Sequence, residues 1–199
     1  YSSEFDISIK SGNAVYSALK KSSFNVYRTV IAKNDWYLLD ENDCKIPLDK
    51  SNFSVSINEH KIHFDAIFNT IHGTPGEDGL IQGYFENMGI PQTASDHYPS
   101  ALTFNKRDCI SVLKPYGILS AKNYLLDQGD PIDVNAIINK VGLPCFVKAN
   151  RAGSSFGITK VKKKEELISA IEHAYTEDNE VIVEEAIDGR EFSVGIINY

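Results

Sequence analysis

The stretch from residue 66 to residue 89 restricts the fold of this chain more than any other. Residues 66–71 form a short apolar run of the kind found in buried parallel strands. The run breaks at His72-Gly73-Thr74-Pro75-Gly76-Glu77-Asp78-Gly79, and Leu80, Ile81, Tyr84, Phe85 and Met88 then recur at helical spacing up to Gly89. A strand, a Gly-rich loop and a helix in that order make the βα unit of a nucleotide-binding type of layer. A histidine at the carboxyl end of such a strand lies where open α/β sheets bind ligands. The helix, expected to begin near Gly76, would aim its amide-rich N-terminus at the same place. Glu77 and Asp78 read mainly as structural acids complementing the helix dipole, with His72 and Gly73 facing the ligand.

Around this unit the pattern predicts a helix over 8–21 and strands over 24–31, 36–39 and 53–57. The last of these turns through Asn58-Glu59-His60 into a strand over 61–64. No strand precedes the first helix, although a doubly wound sheet normally opens with one; a missing first strand is therefore expected ahead of Tyr1. The pattern changes near Ser95, which sets a domain boundary after residue 94. Beyond it come helices over 106–116, from about 131, and over 164–175. Strands are expected over 123–126, 144–148, 157–161, 181–183 and 192–197.

A second candidate site lies in this later part. The strand over 144–148 ends in Lys148, and Asn150 to Ser155 make a small polar hairpin tip around Gly153. Such a tip can fold over a polyphosphate, offering N–H groups and hydroxyls, while the lysine supplies a fixed charge. The strand over 181–183 runs into Glu184 and Glu185, and Glu191 follows the turn at Asp188-Gly189. Carboxylates so placed accept from a ribose diol or an exocyclic amine. Together these features point to an adenine nucleotide site. Near the N-terminus Glu4 reads either as an acceptor for a ligand's amino group or as a helix-start acid with Ser8 as N-cap.

Composition narrows the partners. A net charge of −7 and a pI near 5.2 argue against a nucleic-acid partner. Cys44, Cys109 and Cys145 have no paired spacing, so a zinc site or disulfide framework is not expected and a reducing compartment is. No apolar run reaches the roughly 20 residues of a membrane helix and none reads as a signal peptide, although the chain starts at Tyr1 rather than Met; the expected location is cytoplasmic with no membrane partner. His60, His63, His97 and His173 read as surface or packing residues.

Four stretches, in order, resemble the D-alanine–D-alanine ligases of the ATP-grasp superfamily. They are Ser3-Glu4 with Ile7-Ser8 and Ser11-Gly12; His72-Gly73 with Gly76-Glu77-Asp78-Gly79; Lys148 with Gly153-Ser154-Ser155 and Gly157; and Val183-Glu184-Glu185 with Glu191-Phe192. The resemblance implies α/β and α+β architecture. A Rossmann-like (pre-ATP-grasp) N-terminal domain over 1–94 precedes the central small domain of an ATP-grasp fold over 95–188, and a C-terminal ATP-grasp domain starts at 189–199.

It also implies a reaction. ATP phosphorylates one D-alanine carboxylate, and the amine of a second D-alanine attacks the acyl phosphate, for peptidoglycan synthesis. Glu4 then resembles the acceptor for the first D-alanine's ammonium with Ser154 beside it, and His72 a polar group near that substrate's carboxylate. Lys106 and Lys148 resemble the lysines that contact ATP, and Ser154 and Ser155 lie in the phosphate-covering loop. Glu184 resembles the adenine amine acceptor, Ile187 its apolar neighbour and Glu191 the ribose-binding acid. Glu185, where some relatives carry lysine, is assigned at most a backbone contact.

The family's Mg2+ ligands and its tetrahedral-intermediate arginine fall outside these 199 residues. The resemblance therefore implies that this stretch alone is inactive, and that the protein is a homodimer through its N-terminal domain. D-lactate or D-serine as the second substrate, and a non-catalytic nucleotide-binding module, stay open as alternatives.

Overall fold

The computed structural model describes residues 2–195, which divide into two compact units. The first comprises the chain up to Leu113 together with Asn150–Phe156; the second comprises Lys114–Ala149 and the chain from Gly157 onward.

The first unit opens with α1 (Phe5–Leu19), followed by β1 (Arg28–Ile31), β2 (Trp36–Leu39), β3 (Lys45–Asp49), β4 (Ser54–Ile57) and β5 (His60–His63). These strands pair in chain order as an antiparallel meander. The β4–β5 turn is two residues long: Ile57 pairs with His60, and Asn58 and Glu59 have φ of 48° and 66°. Two left-handed residues match the twist of a tight hairpin, and asparagine tolerates that region well. The sequence reading missed β3 because Pro47 interrupts it. Pro47 pairs with Tyr37 of β2, whereas β4 joins only at Leu48 and Asp49, so the missing N–H interrupts no ladder on that side.

Next come α2 (Leu80–Met88), α3 (His97–Phe104) and α4 (Lys106–Leu113). Helix α3 also escaped the sequence reading, since it contains Pro99; in the first turn of a helix the absent N–H has no helical partner to lose. Ile81 and Phe85, four residues apart on α2, pack with Leu38, Leu48, Phe53 and Val55 into one core. Phe53 lies 4.8 Å from the Phe85 ring and 5.4 Å from Phe64.

The parallel strand expected over 66–71 is present as a single parallel bridge, Ile67 to Gln92. Side chains take several N–H groups here instead: Asn69 N–H donates to Thr93 Oγ1, Ile71 N–H to Asn69 Oδ1 and, just beyond, His72 N–H to Ser8 Oγ. The following helix begins at Leu80 rather than near Gly76.

The second unit contains β6 (Asn123–Asp127), α5 (Val134–Val141), β7 (Cys145–Ala149), β8 (Thr159–Val161), α6 (Leu167–Ala174) and β9 (Glu180–Glu185). Its antiparallel sheet has the order β6-β9-β7-β8. Helix α5 starts at Val134, not near Pro131, because Asp133 Oδ1 accepts from the N–H groups of Asn135 and Ala136, both at 3.0 Å. Cys145, Val147, Val161, Val181 and Val183 meet Ile137, Leu167, Ile171 and Ala174 in the core. Residues 192–195 form no strand, and the rest of the strand expected over 192–197 lies outside the described residues. No helix among the described residues is long and apolar enough to cross a membrane.

Ile171 is fully buried where α6 faces the sheet. Ile171→Ala should destabilise the second unit by about 2–5 kcal/mol, read as a lower denaturant midpoint at unchanged slope.

Candidate functional site

In the first unit the site grows from the start of α1. Glu4 is 2% exposed, and both carboxylate oxygens are engaged. Gly153 N–H donates to Oε1 at 3.3 Å and Ser154 Oγ to Oε2 at 2.5 Å. Glu4 is thus a buried acceptor, and Ser8 is not the N-cap: it lies inside α1, where its hydroxyl donates to Glu4 O at 3.1 Å and accepts from His72 N–H at 2.9 Å. Ser11, one turn on, shares a hydrogen bond of 3.0 Å with His72 Nε2. The role of Ser8 and Ser11 was missed from sequence. The spacing Glu4, Ser8, Ser11 does place all three on one helix face, and that was the available signal.

The loop after His72 is shaped by close approach. A Cβ on Gly73 (φ 67°) would stand 2.6 Å from Ser2 Oγ and 2.8 Å from Glu4 Oε1, and one on Gly76 would stand 2.3 Å from Ile71 O. Glu77 acts on this loop, not on the helix: its Oε2 accepts from Gly73 N–H at 2.7 Å. Asp78 Oδ1 accepts from Leu80 N–H at the start of α2. His72, Ser11, Asn69, Gly76 and Glu77 line a cavity of about 330 Å³, within the size range of small-molecule sites.

Glu4, His72 and Glu77 also bring one ligand atom each within 4.8 Å of one another. This set does not suit magnesium, which demands near-octahedral oxygen coordination. One of the three donors is an imidazole, and the carboxylates already accept from Gly153, Ser154 and Gly73.

Lys106 opens α4 and turns to the 150–156 loop, donating from Nζ to Ala152 O at 2.7 Å and Asn150 O at 3.2 Å. Ser154 and Ser155 hold left-handed backbone, with φ of 47° and 65°, and both are exposed.

In the second unit the sheet alternation separates core from site. Val147 and Val183 face the helices, whereas Phe146, Lys148 and Glu184 occupy the opposite face of β7 and β9. Lys148 pairs in register with Ile182, so Glu184 is its diagonal neighbour, and Lys148 Nζ meets Glu184 Oε2 at 2.6 Å. Both are largely withdrawn from solvent, with side chains 26% and 13% exposed. Glu185 points elsewhere: it accepts from Lys122 N–H at 2.9 Å, with Lys122 Nζ at 3.5 Å. That backbone donor, aided by the ammonium, holds the Glu185 carboxyl below the usual carboxylate range. Ile187 is 72% exposed, and Glu191 is exposed in the coil after β9 with no hydrogen bond or ion pair among the described residues.

Two family models account for nearly the whole chain: "D-ala D-ala ligase N-terminus" matches residues 1–95 and "D-ala D-ala ligase C-terminus" residues 110–199. The chain belongs to the D-alanine–D-alanine ligase family. A D-alanine–D-alanine ligase of Flavobacterium johnsoniae is 59% identical over the full chain, which spans 62% of that relative's length. The D-alanyl-alanine synthetase A structure from Vibrio cholerae superposes with a TM-score of 0.80 at 31% identity, over 94% of this chain and 56% of that one. The VanG D-Ala:D-Ser ligase structure from Enterococcus faecalis gives 0.73 at 32% identity, over 94% of this chain and 60% of that one. The fold is accordingly the mixed α/β ATP-grasp architecture of these ligases.

The Glu185 contact is pH-dependent with a definite sign. Its folded pKa is lowered, so the stability it adds is complete above the unfolded value of about 4.3 and fades as pH falls through the folded value. Melting curves from about pH 6 down to about pH 3 should show a small advantage of wild type over Glu185→Gln that shrinks with acidity.

Proposed function

We propose that the protein to which this chain belongs ligates two D-alanine molecules to D-alanyl-D-alanine at the expense of ATP, supplying peptidoglycan precursor synthesis. The observation that carries this reading is the buried Glu4 carboxylate, fastened by Gly153 and Ser154 beside His72, which itself lines a small-molecule-sized cavity. An acceptor withdrawn from water binds an ammonium group far more strongly than one on the surface, and Ser154 orients it. His72, steadied by Ser11, is assigned to the carboxylate of the same substrate.

Nucleotide is assigned to Lys148, Lys106, Ser154, Ser155, Glu184, Ile187 and Glu191. Lys148 and Glu184 supply a cation for phosphate oxygens and an acceptor for the adenine amine, each now satisfied by the other. Glu185 is assigned only a main-chain contact, since its carboxylate is committed to Lys122. In the reaction the substrate carboxylate takes the γ-phosphoryl group and releases ADP. The amine of the second D-alanine then attacks the acyl carbon, and phosphate leaves.

Magnesium is assigned to carboxylates outside this stretch, since the Glu4, His72 and Glu77 set does not suit it. The domain division 1–94, 95–188 and 189 onward, a homodimer through the first domain and a cytoplasmic location belong to the same proposal.

The test is steady-state kinetics of the full-length protein with ATP and D-alanine, D-serine or D-lactate as second substrate. Glu4→Gln should raise the KM of the first D-alanine, and Lys148→Met that of ATP, each by about 10- to 150-fold, the loss of a charged hydrogen bond. Faster turnover with D-serine or D-lactate than with D-alanine would move the protein to another ligase specificity. ATP binding without turnover would leave a nucleotide-binding module.

A further inference from the structure

The loop that grips Glu4 is itself bolted down on its other side. The first turn of any α-helix exposes N–H groups with no helical partner. In α4 three of these are satisfied across the fold or by its cap. Lys106 N–H donates to Asn150 O at 3.4 Å, Arg107 N–H to Asn150 Oδ1 at 2.8 Å and Asp108 N–H to Asn105 Oδ1 at 3.0 Å. Asn150 Nδ2 in turn donates to Asn105 Oδ1 at 2.8 Å, and Asn105 Nδ2 donates to Asp108 Oδ2 at 2.6 Å.

Asn150 is 1% exposed, so it cannot exchange these partners for water without cost. The direction of the chain of bonds is fixed. Arg107 N–H needs an acceptor, and Asn105 Oδ1, already facing Asp108 N–H, needs a donor. Only a carboxamide at position 150 offers both from one planar group of this length.

Three residues further along, Gly153 N–H and Ser154 Oγ meet Glu4. Through its bonds to Arg107 and Asn105, Asn150 fixes where that loop begins. We propose that Asn150 is a positioning residue, anchoring the 150–156 loop on the N-terminus of α4 so that Gly153 and Ser154 reach the Glu4 carboxylate. Its kinetic consequence rests on the ligase reading above; its structural consequence does not.

The experiment uses the full-length protein with Asn150→Ala, Ser154→Ala, the double variant, and Asn150→Asp. The aspartate keeps the shape and the acceptor but sets an oxygen against Asn105 Oδ1, and it carries the test if the alanine variant fails to fold. Amide exchange is the first readout: the Gly153 amide should exchange about tenfold faster in either Asn150 variant, and an unchanged rate overturns the proposal. The second readout is the KM of the first D-alanine, expected to rise about tenfold in Asn150→Ala. Because Asn150 acts through Ser154, the double variant should be no worse than the more damaged single variant. Multiplying effects, or a lowered melting temperature with KM unchanged, overturn the proposal. Faster exchange in a protein that ligates no amino acids sinks the ligase reading while leaving the anchor in place.

Discussion

A carboxylate removed from water must be met by donors, and Glu4 imposes that requirement on the whole first unit. Leaving a buried charge unpaired costs several kcal/mol, so the chain has to bring N–H and O–H groups to it. Those groups come from Gly153 and Ser154, the latter 150 positions away. The demand propagates. The Glu4 side chain leaves no space for a Cβ on Gly73, and one on Gly153 would stand only 3.1 Å from Glu4 Oε2. Ser154 and Ser155 accept left-handed backbone, at about 1–3 kcal/mol each, to present the hydroxyl. The same backbone region occurs in turns far from Glu4, as at Asn58 and Glu59, but only at Ser154 does it carry a hydroxyl to a buried carboxylate.

The second unit solves a different problem with period-two alternation. Its sheet buries one face of β7 and β9 on α5 and α6 and leaves the other for Lys148 and Glu184. The two charges lie diagonally across adjacent strands, near enough to neutralise each other.

Much of this was legible in the residues. Helices α1, α2, α4, α5 and α6, the β4–β5 hairpin and the strand ending in Lys148 follow from the sequence pattern, and the HG…GEDG and GSS stretches point to the family. Proline hides two elements, β3 and α3: Pro47 lies before the residues that pair with β4, and Pro99 in the first turn of its helix. Helix α2 begins at Leu80, later than its Gly-rich approach suggests. Glu77 reads as a helix acid by proximity, yet in the fold it turns back to the Gly73 amide.

Local pattern by itself determined most of the helices and strands and which of their faces are apolar. That information is short-range: it depends on neighbours a few positions apart. Only the tertiary structure decided that Glu4 is buried against Ser154, that Ser8 and Ser11 brace His72, and that Asn150 caps α4. Those contacts join residues far apart in the chain, and their hydrogen-bond partners are chosen by packing, which no periodicity encodes.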